Sequence, residues 1–135
     1  YQTALENHES SQISIAGDSV GGLLSVALVQ RLTQQNMHLP KRLILISPVM
    51  DASMINPEID KIENKDPILS KAGVMSAKKM CARDLDLKNE MISPLYGSFN
   101  SFPETFVFIA QNDIMYPDDI LAIDTMINGA CLSTV

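Results

Sequence analysis

An α/β fold with a mostly parallel sheet and helices on both faces is predicted by three observations: short apolar β-type runs, helical patterns alternating with them, and turn residues at the junctions. Strands that carry apolar residues without strict alternation are the kind a parallel sheet buries between helices. The elements follow in order. "YQTALEN" at the start reads as the tail of a helix, and the polar "HESSQ" leads into a β-branched run at 13–16. After "GDSVGG", Leu23, Leu24, Val26, Ala27, Leu28, Val29 and Leu32 cover most faces of a helix from Val20 to about Gln35. "RLILI" at 42–46 is a second strand, closed by Ser47-Pro48 because proline cannot extend a central strand.

Residues 51–104 carry few strand signals and read as a helical insertion. Its clearest helix is "KAGVMSAKKMCARDL", with Ser70 placed to cap it. Asp66-Pro67 and Ser93-Pro94 read as structural turns, since proline biases the preceding residue toward extended backbone. A third strand is expected at 105–110. "DDILAIDTMINGA" then reads as a helix with acids in its first turn and Gly129 near its C-cap, and "ACLSTV" as a fourth strand.

The 135 residues suit one domain, or part of a larger one, with 46% hydrophobic residues to build a core. A net charge of −6 without a dense Lys/Arg cluster argues against a nucleic-acid surface. Cys81 and Cys131 lack ligand-like spacing and only two histidines are present, so neither a disulfide framework nor a metal site is suggested. A reducing cytoplasm is the expected location. No apolar run is long enough to span a bilayer and no signal segment opens the chain. The first residue is Tyr1, which suggests that the beginning is missing.

"GDSVGG" places Ser19 between Gly17 and Gly21, after an apolar strand and before a buried helix. A serine hydroxyl becomes nucleophilic when a histidine takes its proton, a carboxylate orients that histidine and backbone N–H groups receive the oxyanion. A tight strand-to-helix turn needs residues without side chains two before and two after the nucleophile, because neighbouring backbones come close. The competing reading, a glycine-rich turn that binds phosphate, is weakened by the absence of the G-x-G-x-x-G and G-x-x-x-x-G-K patterns.

"GDSVGG" resembles the signature of the hormone-sensitive-lipase-like esterases, an α/β-hydrolase family. "LISPVMD", "DPILS", "ISPLYG" and "FPETFVFIAQNDIMYPD" resemble its later blocks, in the same order. The resemblance covers nearly the whole chain. It implies a central and C-terminal part of an α/β-hydrolase, in which 51–104 helps form a lid or acyl pocket. It implies a serine carboxylesterase that cleaves short-chain acyl esters through an acyl-enzyme on Ser19, with no cofactor and no metal. Met75, Met80, Met91 and Leu95 are candidates to line the pocket, although core filling is the commoner use of such residues.

The family's acid loop maps to Asp113, past the third strand, at the carboxyl edge where Ser19 also lies. Asp51, after the second strand, is the alternative acid. Asp118 and Asp119 are accounted for by capping and the helix dipole, and Asp18 by solvation or a hydrogen bond near the turn. His8 and His38 both precede strands and fall at the opposite edge, about 17 Å away along a five-residue strand. The resemblance implies a catalytic histidine beyond Val135 and an HGGG oxyanion motif before the chain, leaving the N–H of Val20 as the oxyanion donor here. The competing expectation is an inert truncated chain that self-associates through an open sheet edge at 13–16.

Overall fold

The computed structural model describes residues 1–129. Helix α1 (Gln2–Leu5) precedes β1 (Ser14–Asp18), α2 (Val20–Gln34) and β2 (Arg42–Ile46). Helices α3 (Glu58–Ile62) and α4 (Lys71–Ala82) come next, then β3 (Glu104–Phe108) and α5 (Tyr116–Gly129). The three strands form one parallel sheet in the order β1-β2-β3. Ser14, Arg42 and Glu104 stand in register at its amino edge, and Asp18, Ile46 and Phe108 at its carboxyl edge. The expected parallel α/β class is therefore observed.

Strand periodicity decides where the core sits. Leu43 and Leu45 point to one face, where they meet Val26 and Val29 of α2 and Ala122 and Met126 of α5, with Ile15 and Val107 packed alongside. Val26, Val29, Leu43 and Leu45 are fully buried, and each such side chain contributes about 1.5–3 kcal/mol relative to exposure. The other face carries Ala16, Ile44, Ile46, Phe106 and Phe108, with Phe108 58% exposed. Among the described residues no second helical layer covers that face. The strands are apolar on both sides, as anticipated, but burial alternates because α2 and α5 share one side.

Several boundaries differ from expectation for local reasons. β1 runs on to Asp18, and β3 ends at Phe108, whose carbonyl accepts from Ser47 N–H. α4 stops at Ala82 because Arg83 turns to φ 51°, ψ −115°, outside helical geometry. Ser70 caps it as expected, its hydroxyl accepting from Gly73 N–H. α5 starts at Tyr116, with Pro117 in the first turn where a missing N–H costs nothing. α5 runs through Gly129, so the C-cap expected near it and the strand expected at 130–135 lie outside the described residues. No described helix is long and apolar enough to cross a membrane.

The segment 51–104 begins at the carboxyl edge of the sheet, after β2, and returns past the main core to the amino edge, where Glu104 opens β3. Ile59 of α3 joins Leu23, Val49, Met54, Ile114 and Met115 in a second buried cluster, with Val74 and Met75 of α4 packed against it. Gln30 of α2 donates to Pro94 O at 2.8 Å, and Leu95 N–H to Met50 O at 3.0 Å, fastening the end of the segment to the body.

Candidate functional site

Ser19 is the hinge residue between β1 and α2. It takes φ 52°, ψ −116°, a conformation that costs a non-glycine residue about 1–3 kcal/mol and persists only where the surroundings impose it. Those surroundings are backbone. Ser19 N–H donates to Ile46 O at 2.9 Å, and its carbonyl accepts from Leu23 N–H and Val49 N–H. A serine at a helix N-cap ordinarily bonds an N–H of the first turn; Ser19 makes no such bond, so its hydroxyl is left uncommitted. Val20 opens α2, and its N–H is one of those a helix start leaves without an intrahelical acceptor.

The glycine requirement is distributed differently from expectation. A Cβ on Gly17 would lie 2.2 Å from Gly21 O, and one on Gly22 would lie 2.6 Å from Pro48 Cβ. A Cβ on Gly21 would meet nothing within 4 Å. The residue two before the serine is thus confined as predicted. On the far side it is Gly22, three after, because the loop after β2 packs against it.

Asp113 follows β3 on the same edge of the sheet as Ser19. Its neighbours Ile114 and Met115 pack with Leu23, one turn into α2, and with Val49. Asp113 Oδ1 accepts from Met115 N–H at 2.9 Å, and Oδ2 has no hydrogen bond to a described residue. Asp51 is different. It is 2% exposed and accepts from Ser53 N–H, Ser53 Oγ, Ser93 Oγ and Tyr96 Oη, so both oxygens are engaged in tying down 51–104. His8 and His38 are exposed at the amino edge, where Tyr1 Oη donates to His38 O. The structure brings Ser19 and Asp113 to one rim and leaves both histidines off it. Asp18 is exposed.

Three groups were not legible as part of this region. Asp118 and Asp119 lie in the first turn of α5, but both are 1% exposed, which helix-dipole or capping roles do not explain. Asp118 accepts from Asn56 Nδ2; neither oxygen of Asp119 has a partner among the described residues. Burial pushes the Asp119 carboxyl up to about 9, and the charges of Asp113 and Asp118 add to the shift. A neutral acid gains little from a helix dipole. Burial likewise raises Asp118, against the hydrogen bond from Asn56. Lys78 of α4 donates to Asp51 O; burial draws its ammonium down to about 8, while Asp118, Asp51 and Asp119 oppose that fall.

Asp66, read from sequence as a turn residue, also reaches the rim. Its Oδ1 accepts from Ile68 and Leu69 N–H, and its Oδ2 from Ile114 N–H at 2.9 Å, which anchors the loop carrying Asp113. Desolvation raises the Asp66 carboxyl, but the donors Leu69, Ile114 and Ile68 outweigh it and hold the pKa below the ordinary value.

A cavity of about 480 Å³ opens beside Ser19. Val20, Leu23 and Leu24 of α2 form one wall, and Val74, Ala77, Lys78 and Cys81 of α4 face it, with Met91, Ile92 and Met115 completing it. Of the four residues singled out as possible lining, Met91 lies in the wall. Met75 and Leu95 pack against the two buried clusters, and Met80 is 77% exposed.

A family model described as alpha/beta hydrolase fold matches residues 1–127. A triacylglycerol lipase of Mycobacterium tuberculosis is 28% identical over 134 residues, 98% of this chain and 26% of the lipase. The solved structure of a candidate esterase from Staphylococcus aureus superposes with a TM-score of 0.91 at 31% identity, over 96% of this chain and 44% of that one. An esterase of the bacterial hormone-sensitive lipase family superposes with a TM-score of 0.85 at 26% identity, over 93% of this chain and 42% of its own. The chain thus spans less than half the length of these relatives.

Proposed function

This chain belongs to the α/β-hydrolase-fold family, and we propose that it supplies the nucleophile and the acid of a serine carboxylesterase acting on short-chain acyl esters. Ser19 Oγ attacks the ester carbonyl, and the N–H of Val20 donates to the oxyanion as it forms. Asp113 orients the histidine that takes the proton of Ser19 and passes it to the departing alcohol. An acyl-enzyme on Ser19 results, which water then hydrolyses. Neither histidine of this chain is at the rim, so the proposal takes that base from outside residues 1–135 of the whole protein. Residues 51–104 supply the wall of the acyl pocket that faces α2.

The observation that carries this reading is the backbone of Ser19, held at φ 52° where it lines an apolar cavity, with its hydroxyl bonded to none of the described residues. Arg83 takes nearly the same angles at an ordinary helix end, so what distinguishes Ser19 is the strained turn together with the confined glycines and the cavity it lines. In the full-length protein, Ser19→Ala is expected to lower p-nitrophenyl butyrate hydrolysis by about three orders of magnitude or more. Undiminished turnover would sink the assignment.

A second reading concerns the 135 residues as an isolated chain. Ile46, Phe106 and Phe108 stand exposed on one sheet face and the outer edge of β1 has no partner among the described residues; such edges recruit further strands. Light scattering of the isolated chain is expected to report association. A monodisperse monomer contradicts it.

A further inference from the structure

The surface above α2 holds two cavities. Besides the one at Ser19, a second of about 510 Å³ lies further along the helix, lined by Ala27, Leu28, Gln30 and Arg31. Two side chains belong to the walls of both: Leu24 and Met91. Leu28 is nine residues after Ser19, so the apolar part of the second cavity extends to roughly 14 Å from the nucleophile along the helix axis, at 1.5 Å per residue.

Neither shared residue is buried among the described residues. Leu24 is 62% and Met91 55% exposed, and neither belongs to a buried cluster. Methionine, unbranched and with three rotatable bonds, moves aside readily. Leu24, Ala27, Leu28 and Met91 make the near part of the second cavity apolar, and Gln34 Nε2 donates to Glu90 Oε1 at its polar rim. The apolar surface of the first cavity thus continues past Leu24 and Met91 to Ala27 and Leu28, beyond which Gln30, Arg31, Gln34, Gln35 and Glu90 make the second cavity polar.

We propose that Leu24 and Met91 form a movable partition that limits the acyl chain of an ester held at Ser19, and that the second cavity receives the distal methylenes of longer chains. The proposal rests on the reading of Ser19 as the nucleophile. It assigns chain-length selection to two residues that touch neither the reacting carbonyl nor the acid loop. Thinning the partition extends the range of acyl chains, and thickening it contracts the range.

The test uses the full-length protein with Leu24→Ala, Met91→Ala and Leu24→Trp, and the ratio of kcat/KM for p-nitrophenyl decanoate to that for the butyrate. Both alanine variants are expected to raise the ratio by at least about fourfold, the worth of one methylene taken out of water. Leu24→Trp is expected to lower it. Met80→Ala, in an exposed residue of α4 outside both cavities, serves as the control and leaves it unchanged. Thermal unfolding of both alanine variants, measured alongside, separates a loss of fold from a change in chain-length range. An unchanged ratio with butyrate turnover intact overturns the partition alone. Absence of ester hydrolysis in the unmodified protein overturns the partition together with the reading of Ser19.

Discussion

Asp119→Asn isolates a single buried proton. Asp119 is 1% exposed, neither carboxylate oxygen has a partner among the described residues, and burial together with Asp113 and Asp118 holds its pKa at about 9. In the unfolded chain the same group titrates near 3.9. Between about pH 5 and 8 the folded protein therefore binds one proton that the unfolded chain has released, so the stabilisation present at low pH is lost as pH rises. The limiting slope is about 1.4 kcal/mol per pH unit. Asparagine keeps the shape and does not titrate. Relative to the parent, the variant's unfolding free energy is expected to improve by about that amount per unit over this window, measured by urea unfolding in a buffer series. Lys78, drawn down to about 8 by burial, acts in the opposite direction above pH 8, so the comparison is cleanest below it. Asp118 is common to both proteins, and its contribution largely cancels. Parallel curves for parent and variant would refute a neutral Asp119.

Three further outcomes are expected. Gly17→Ala and Gly22→Ala each drive a Cβ into backbone or proline atoms and should lower stability by about 1–3 kcal/mol, whereas Gly21→Ala meets open space in a helix and should be neutral or stabilising; denaturation midpoints of the three decide this. Asp113→Asn is expected to reduce kcat for p-nitrophenyl butyrate by roughly four orders of magnitude at nearly unchanged stability. Asp51→Asn, which disturbs four donors, should lower the unfolding temperature while sparing kcat of the folded enzyme. The reverse pattern would transfer the acid's role to Asp51.

What the sequence disclosed was what neighbours in the chain determine. β2 at Arg42–Ile46 was legible because Pro48 ends it, α4 began where Ser70 caps it, and Ser19 stood out because glycines flank it between a strand and a helix. What stayed hidden depends on partners far along the chain. Asp118 is buried against Asn56, 62 residues away, and Asp66 grips Ile114 across 48 residues. Gly22 rather than Gly21 is confined because Pro48 arrives from another loop. Continuous apolar runs in β2 and β3 could not reveal that α2 and α5 occupy the same face, since Ile44 and Phe106 look the same on paper whether covered or bare.

The grip on Ser19 has a practical bearing. Its N–H is held by Ile46 and its carbonyl by Val49, so the aim of the hydroxyl is inherited from the loop after β2. That loop itself bends through Ser47, at φ 40°, and packs Pro48 against Gly22. Neither Ser47 nor Pro48 touches the cavity. A mutagenesis campaign confined to cavity walls would therefore overlook the two residues that act as the gunsight of the nucleophile.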